Sequence, residues 1–198
     1  MSKKIVAIVG SYRKRGAIDS AVEAILAGAR ERGAETRTFY LTEERIEFCT
    51  HCRQCTQQPG PERGRCVLED GLEAMMTEIE VADALVLGSP VSYYDATALF
   101  RRFLERLLGS VYWPWGQNAP HPRSKQLPRK AILVASAAMP GFLIPFATGT
   151  ARALRLASKS LGAKPVGSLW IGLVAQKPQP QLSARTLNRA RRIGGKLA

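Results

Sequence analysis

The stretch "KIVAIVGSYRKRGAIDSAVEAILAGARERG", residues 4–33, decides how the chain is read. Lys4 to Gly10 is a continuous run of apolar, largely β-branched residues closed by glycine, the pattern of a strand buried on both faces of a parallel sheet. Residues 17–32 repeat apolar positions at helical spacing, and Gly33 stands where a helix stops. The turn between them, "GSYRKRGA" at residues 10–17, has the makings of an anion cradle. Backbone N–H groups at a helix N-terminus meet a phosphate, hydroxyls line it, and Arg13 adds a charge-assisted bond. It is not a Walker loop, because no Lys-Ser or Lys-Thr follows Gly16, and it lacks the G-x-G-x-x-G spacing of a dinucleotide fingerprint.

The alternation continues along the chain. "AETRTFYL" (34–41), "ALVLGSP" (84–90), "KAILVAS" (130–136) and "PVGSLWIGLV" (165–174) read as further strands. "DGLEAMMTEIEVAD" (70–83), "ATALFRRFLERLL" (96–108) and "FATGTARALRLASKSLG" (146–162) read as helices, and "QLSARTLNRARRIGGKLA" (181–198) as a basic helix starting near Ser183. Five strands alternating with helices predict an α/β fold, a flavodoxin-like, doubly wound five-stranded parallel sheet with helices on both faces. No repeat or dividing linker is visible, so residues 1–198 are read as one domain. Residues 46–69 and 109–129 form two long loops, and long loops in compact domains are usually functional.

The chain carries 29 basic and 16 acidic residues, a formal net charge of +13. Every acidic residue falls between Asp19 and Glu105, whereas residues 121–198 hold 14 basic groups and none that is acidic. The basic positions are spread along helix-like segments without interleaved aromatics. That favours a solvated basic face, or one that steers an anionic cofactor, over a nucleic-acid site. No apolar stretch approaches the roughly 20 residues that cross a bilayer, and the run in "MSKKIVAIVG" is too short for a secretory leader. The expectation is a cytoplasmic protein with no membrane partner. There, clustered cysteines point to metal, cluster or redox chemistry rather than to structural disulfides.

In open parallel sheets ligands bind beyond the carboxyl ends of the strands, where strand order reverses. That rule selects the turn at 10–17, the segment "GSPVSYYDATA" (88–98) and the segment "SAAMPGF" (136–142). In the second, Pro90 fixes the backbone and lacks an N–H. Tyr93 and Tyr94 offer flat faces with polar tips that suit a planar heteroaromatic ring, the alternative being that both pack at the sheet edge. In the third, small residues let a ligand approach the backbone. His51 and His121 stand in no recognisable triad, and His121, between prolines, reads as solvent-exposed.

"VGSYRKRG" (9–16), a cysteine run followed by "CVLEDGL" (66–72), and "GSPVSYYDATALFRRFLER" (88–106) together resemble the NADPH-dependent FMN reductase family, and within it the iron-sulfur flavoprotein branch. The resemblance implies one FMN, its phosphate on Ser11, Arg13, Gly16, Ala17 and Ile18. Its ring would lie against Pro90, Val91, Ser92 and Tyr93 and against Ser136, Ala137, Ala138 and Met139. It also implies hydride transfer from NAD(P)H through the flavin to FMN, quinone or another small acceptor, which requires no acid–base residue. Two departures stand out: Ala17-Ile18 replace the family's usual Asn-Thr, and Ser92 replaces a usual Tyr. The first leaves backbone amides and Arg13 to carry the phosphate. Beyond Arg129 the resemblance is thin.

In "FCTHCRQCTQQPGPERGRC" (48–66), Cys49, Cys52 and Cys55 are spaced C-x2-C-x2-C, and Cys66 follows after ten residues. Three thiolates so spaced reach three corners of a four-iron four-sulfur cubane, and a distant fourth closes the site. Four thiolates also complete a zinc tetrahedron, although zinc usually pairs two C-x2-C units. The loop can equally hold no metal. The iron-sulfur flavoproteins resemble this arrangement with a shorter gap before the last cysteine. With a cluster, the protein resembles an electron carrier serving a redox protein; without one, it resembles an NAD(P)H-dependent quinone or FMN reductase whose cysteine loop covers the flavin. A non-catalytic flavodoxin-like module, docked on nucleic acid or an acidic partner, is the competing class. A homodimer or homotetramer is expected through the apolar helix around Leu99 to Leu108 and the "YWPW" loop (112–115), unless Trp113 and Trp115 cap their own core.

Overall fold

In β1 (Lys4–Val9) successive side chains point to opposite faces. Val6 and Ile8 enter one core, and Ile5, Ala7 and Val9 enter another. A computed structural model of the chain describes residues 2–124, 126–176 and 180–198; Lys125, in the second of the expected long loops, lies outside them. β1 pairs in parallel with β2 (Glu35–Tyr40) and β3 (Ala84–Ser92). β3 pairs with β4 (Arg129–Ser136), and β4 with β5 (Ala163–Ile171). The order is β2-β1-β3-β4-β5, with the reversal between β1 and β3. α1 (Ala17–Arg30) and α5 (Ala184–Gly194) cover one face; α2 (Leu72–Glu80), α3 (Ala98–Glu105) and α4 (Thr150–Ser160) cover the other. The expected doubly wound sheet is present.

α1 and α5 meet backbone to backbone. A Cβ on Gly28 would lie 2.0 Å from Arg191 O, and one on Gly194 would lie 1.9 Å from Ile25 O. α5 starts where the sequence places it: Ser183 accepts a hydrogen bond from Thr186 N at 3.2 Å. Pro165 sits on the edge strand β5, where a missing donor is tolerated, next to a register shift at Ala131/Ile132. No helix among the described residues is long and apolar enough to cross a membrane.

Three departures from the expected elements bear on function. β3 runs on to Ser92 and returns antiparallel as Asp95–Ala96, with Tyr93 and Tyr94 at the tip. The helix expected over 146–162 is broken: a short helix ends at Ala147, and α4 begins at Thr150. The cause is distant in sequence, since Gly149 N donates to Tyr94 O at 2.8 Å and a Cβ on Gly149 would fall 2.7 Å from Asp95 Oδ1. The second long loop contains a small hairpin, Val111–Tyr112 against His121–Pro122. The apolar stripe of α3, expected at a subunit interface, is largely spent inside the chain, where Phe100, Phe103 and Leu107 are buried.

Past the end of α3, Arg106 meets Asp70 in a buried ion pair, both side chains 1% exposed. Arg106 Nη1 donates to Asp70 Oδ2 at 2.6 Å and to Glu47 O at 2.7 Å, while the amides of Glu47 and Leu72 donate to the same carboxylate. Burial works against ionisation of Asp70, but the bonds from Arg106 and the amides of Glu47 and Leu72 outweigh it and hold the carboxyl below its usual range. A depressed pKa stabilises the fold above the unfolded value, about 3.9, and that contribution is lost as pH falls through the lower folded value. Asp70→Asn leaves Arg106 buried without its counter-charge and should cost about 3–5 kcal/mol. Urea melts between pH 7 and pH 3 should show that loss at neutral pH and a shallower acid dependence in the variant; equal stability across the range would refute the pairing.

Candidate functional site

The turn between β1 and α1 is shaped from within. Ser11 Oγ accepts from Arg13 N at 3.2 Å and donates to Arg13 O at 3.3 Å, so a buried hydroxyl bends the loop back on itself. Arg15 takes a left-handed φ of 57°, and its N–H donates to Asp19 Oδ2 at 2.6 Å. Tyr40 Oη donates to the other oxygen of Asp19 at 2.7 Å. Burial first, and then that bond to Asp19, push the Tyr40 hydroxyl up to about 12. Gly16 caps α1 and, having no side chain, offers no acceptor of its own to the first-turn N–H groups. A Cβ on Gly16 would press to 3.2 Å from Arg13 O. These features fit a phosphate, which supplies the acceptors that the helix end lacks. Ala17 and Ile18 are buried; a Cβ on Gly88 would lie 2.8 Å from Ile18 Cγ2. At both positions the main chain alone is left to face an anion.

Hydrogen bonds draw the other two predicted segments to this turn. Gly10 N donates to Gly88 O at 2.8 Å, and Thr97 Oγ1 donates to Gly10 O at 2.6 Å. Thr97 N donates to Ser89 Oγ at 3.2 Å, and Pro90 stands opposite Ser136 across the β3–β4 ladder. The carboxyl ends of β1, β3 and β4 therefore form one platform. Pro90 and Val91 are half-buried and Ser92 is exposed. Tyr93, 101% exposed, and Tyr94 take φ values of 48° and 65° as the central pair of a tight hairpin, so neither packs at the sheet edge. In the third segment Ser136 and Ala137 are buried and continue the sheet, as Ala137 N donates to Ile171 O. Ala138 is exposed and Met139 half-buried, so the surface contacts of this segment fall to them. Phe142 and Phe146 add exposed aromatic surface on the following residues.

Thr97 and Ser89, which knit the platform together, do not stand out in the sequence as site residues. Thr97 does carry a signal, a threonine immediately before an apolar-periodic run, which marks a helix N-cap. It accepts from Phe100 N at 3.3 Å.

The four thiols are free, Cys52 exposed and Cys49, Cys55 and Cys66 half-buried. They share one neighbourhood: burial, and then the proximity of Cys66, Cys49 and Cys52, push the Cys55 thiol up. Four sulfurs suit cluster chemistry. Among the described residues, however, no group of three or more His, Cys, Asp or Glu side chains is disposed to hold a metal ion. The loop is tied to the far end of α3, with Gly64 N donating to Gly109 O and Trp113 N to Thr56 O, both at 3.0 Å. At a rise of 1.5 Å per residue the eight residues of α3 span about 12 Å, and Gly109 lies beyond their end. Thr56 and Gly64, in the later part of the loop, are thus anchored beyond the end of α3 that is farther from the platform.

A large cavity, about 640 Å³, opens at the opposite, N-terminal end of the strands among Arg63, Met76, Ile79, Arg129 and Leu161. Three of its arginines are engaged, Arg63 by Glu73 and Glu80, Arg123 by the carbonyls of Gln58 and Cys55, and Arg129 by those of Ala82 and Leu161. The carboxyl-end platform, by contrast, sets a helix N-terminus with a glycine cap beside exposed aromatic faces, at the end of the sheet where ligands of such folds bind.

Comparison with known proteins bears on the family and the fold. Over 105 residues the chain is 32% identical to an iron-sulfur flavoprotein of Archaeoglobus fulgidus, a match covering 53% of this chain and 46% of that protein. An iron-sulfur flavoprotein of Methanosarcina thermophila is 29% identical over 103 residues, 52% of this chain and 51% of that one. The matched region thus spans about half the length of these curated relatives. Among solved structures, an NAD(P)H:quinone oxidoreductase from Methanothermobacter marburgensis superposes with a TM-score of 0.71 and 22% identity over 100% of both chains. The azoreductase AzrA superposes with a TM-score of 0.69 and 14% identity, covering 98% of this chain and 99% of that one. These two likenesses establish the flavodoxin-like fold. The family model for NADPH-dependent FMN reductase matches residues 3–173, and the chain belongs to that family of oxidoreductases.

Proposed function

We propose that the chain binds one FMN across the platform formed by β1, β3 and β4, and passes reducing equivalents from NAD(P)H to a small acceptor such as a quinone or free FMN. The observation that carries this reading is the uncapped N-terminus of α1 set beside exposed aromatic faces. The main-chain amides of Gly16, Ala17 and Ile18, with Ser11 and Arg13, would hold the phosphate. Pro90, Val91, Ser92 and Tyr93 would line one side of the ring, and Ala138 and Met139 the other, with Ser136 and Ala137 supporting them through the sheet. When bound, FMN supplies hydride acceptance and onward reduction, and the protein positions it and excludes competing chemistry. The open platform leaves the ring accessible to donor and acceptor in turn.

A second reading, an electron carrier with a four-iron four-sulfur cluster on Cys49, Cys52, Cys55 and Cys66, is favoured by the four clustered thiols and by the names of the matched relatives. In either case we place the protein in the cytoplasm, as a homodimer or homotetramer, with exposed Trp115 as the interface candidate.

Purified protein is expected to be yellow, with flavin absorbance that bleaches on adding NADPH under anaerobic conditions and returns with a quinone. Colourless protein that takes up no FMN would refute the proposal. Ser11→Ala removes a hydroxyl that shapes the loop and should weaken FMN binding about 5- to 10-fold, whereas Arg13→Ala should weaken it about 10- to 100-fold, as read by fluorescence titration. Unchanged affinity in both would remove the phosphate from this turn. Gel filtration should give at least twice the 21.7 kDa of one chain; a monomer at micromolar concentration would sink the oligomer.

A further inference from the structure

The cysteine loop, residues 46–69, contains little regular structure beyond one 3-10 turn at Gln54–Thr56. A loop of this length must still find partners for its main-chain polar groups. Guanidinium groups supply many of them. Arg123 Nε donates to Gly109 O at 2.8 Å, Nη1 to Gln58 O at 2.8 Å and Gly60 O at 3.1 Å, and Nη2 to Cys55 O at 3.1 Å. One side chain from outside the loop thus gathers carbonyls from both of its middle turns. Arg53, between Cys52 and Cys55, takes a left-handed φ of 57° and inserts its guanidinium between two indoles. Its Cζ lies 3.8 Å from the ring centroid of Trp113 and 4.2 Å from that of Trp115, and Nη2 donates to Trp113 O at 2.6 Å. Arg106 closes the start of the loop through Glu47 O and Asp70. Arg63 closes its end through Glu73 and Glu80.

Most of these bonds end on main-chain oxygens, carboxylates or indole rings; Arg106 alone of the four also reaches a thiol, that of Cys66. The packing they produce is tight, since a Cβ on Gly64 would fall 1.7 Å from Cys55 O. Arginine suits the task because its fork presents several donors in one plane and its face stacks on aromatics. A loop ordered by a cluster would rely on thiolates at those turns.

We propose that this arginine frame, and not a metal centre, orders the cysteine loop, so that all four thiols are free in the folded protein and the flavin is its one redox centre. The last clause rests on the FMN reading; the statement about the loop does not.

The test uses full-length protein made anaerobically with iron and sulfide supplied. The wild type is compared with the quadruple Cys49→Ser, Cys52→Ser, Cys55→Ser, Cys66→Ser variant and with Arg53→Ala, Arg123→Ala and Arg123→Lys. Iron content, Tm and the rate of proteolysis within 46–69 are read on FMN-loaded and FMN-stripped samples alike. The expected result is iron well below one atom per chain, and a quadruple cysteine variant whose Tm and protease resistance match the wild type. Arg53→Ala and Arg123→Ala should each lower Tm by about 3–8 °C and speed cleavage within the loop. Arg123→Lys, with a single ammonium for four carbonyls, should fall in the same direction and keeps the test open should the alanine variant not fold. Iron near four atoms per chain, a cysteine variant whose loop becomes protease-sensitive, or arginine variants indistinguishable from wild type would each overturn the proposal. Failure of the wild type to hold FMN would strike the flavin reading alone, because melting and loop cleavage are also read without FMN.

Discussion

A single buried hydroxyl joins the two ends of the structure that matter most. Thr97 Oγ1 donates to Gly10 O at 2.6 Å and accepts from Phe100 N, so one side chain closes the turn after β1 and starts α3. Its reach requires glycine at position 10, where a Cβ would lie 2.8 Å from Phe100 Cβ. With the start of α3 fixed there, Phe100 and Phe103 pack edge to face in the core, at 6.1 Å between ring centroids. The continuation of the helix then brings Arg106 onto Asp70 and Gly109 against Gly64. The platform and the cysteine loop are thus held by opposite ends of one short helix. A disturbance at Thr97 would be felt at both.

The parts that the sequence makes legible are those set by short-range rules. Buried parallel strands read as unbroken apolar runs, as in "KIVAIVG", because both faces are covered. The position rule selects the carboxyl end of the sheet, and the structure brings Gly10, Ser89, Pro90 and Ser136 together there. What stays illegible depends on partners far along the chain. Gly149 alone is a weak local signal for the break in the helix; what fixes it there is Tyr94 and Asp95, more than fifty residues earlier. The tyrosine hairpin has none of the Gly or Asn residues that usually mark two left-handed positions, so a turn there carries no turn signal. Arg53 and Arg123 read only as charges in loops, yet their partners Trp113 and Cys55 lie 60 and 68 residues away.

The basic excess divides into two populations with different physics. Arg53, Arg106, Arg123 and Arg129 are spent on carbonyls and carboxylates, where a guanidinium does the structural work of several neutral donors. Of these only Arg106 is neutralised, by Asp70; the carbonyls that hold the others fix their position and leave their charge in place. Arg152, Arg155, Arg185, Arg189, Arg191 and Arg192 are exposed on α4 and α5, and no acidic residue occurs in the last 78 positions of the chain. These add to the long-range potential. They are spread over both faces of the sheet; charges so placed act on anions at a distance rather than by direct contact, an effect that salt weakens.

A carboxylate beside a phosphate site looks self-defeating, yet Asp19 stands in the first turn of α1. At 4 Å two like charges repel by about 1 kcal/mol in water and about 4 kcal/mol at an effective dielectric of 20. The geometry shows what offsets that cost. Asp19 spends one oxygen on Arg15 N–H and the other on Tyr40 Oη, which fixes the left-handed bend at Arg15 and leaves the amides that follow it for a ligand. Arg13 and Arg15 lie on the same turn, while Lys14 is drawn off to Glu43. With buried Ala17 and Ile18 at these positions, a phosphate held on this turn as proposed would meet main-chain N–H groups on a backbone held rigid by an acid. Affinity at such a site comes from preorganised N–H groups, which lose no rotamer entropy when an anion arrives, rather than from the number of side chains around it.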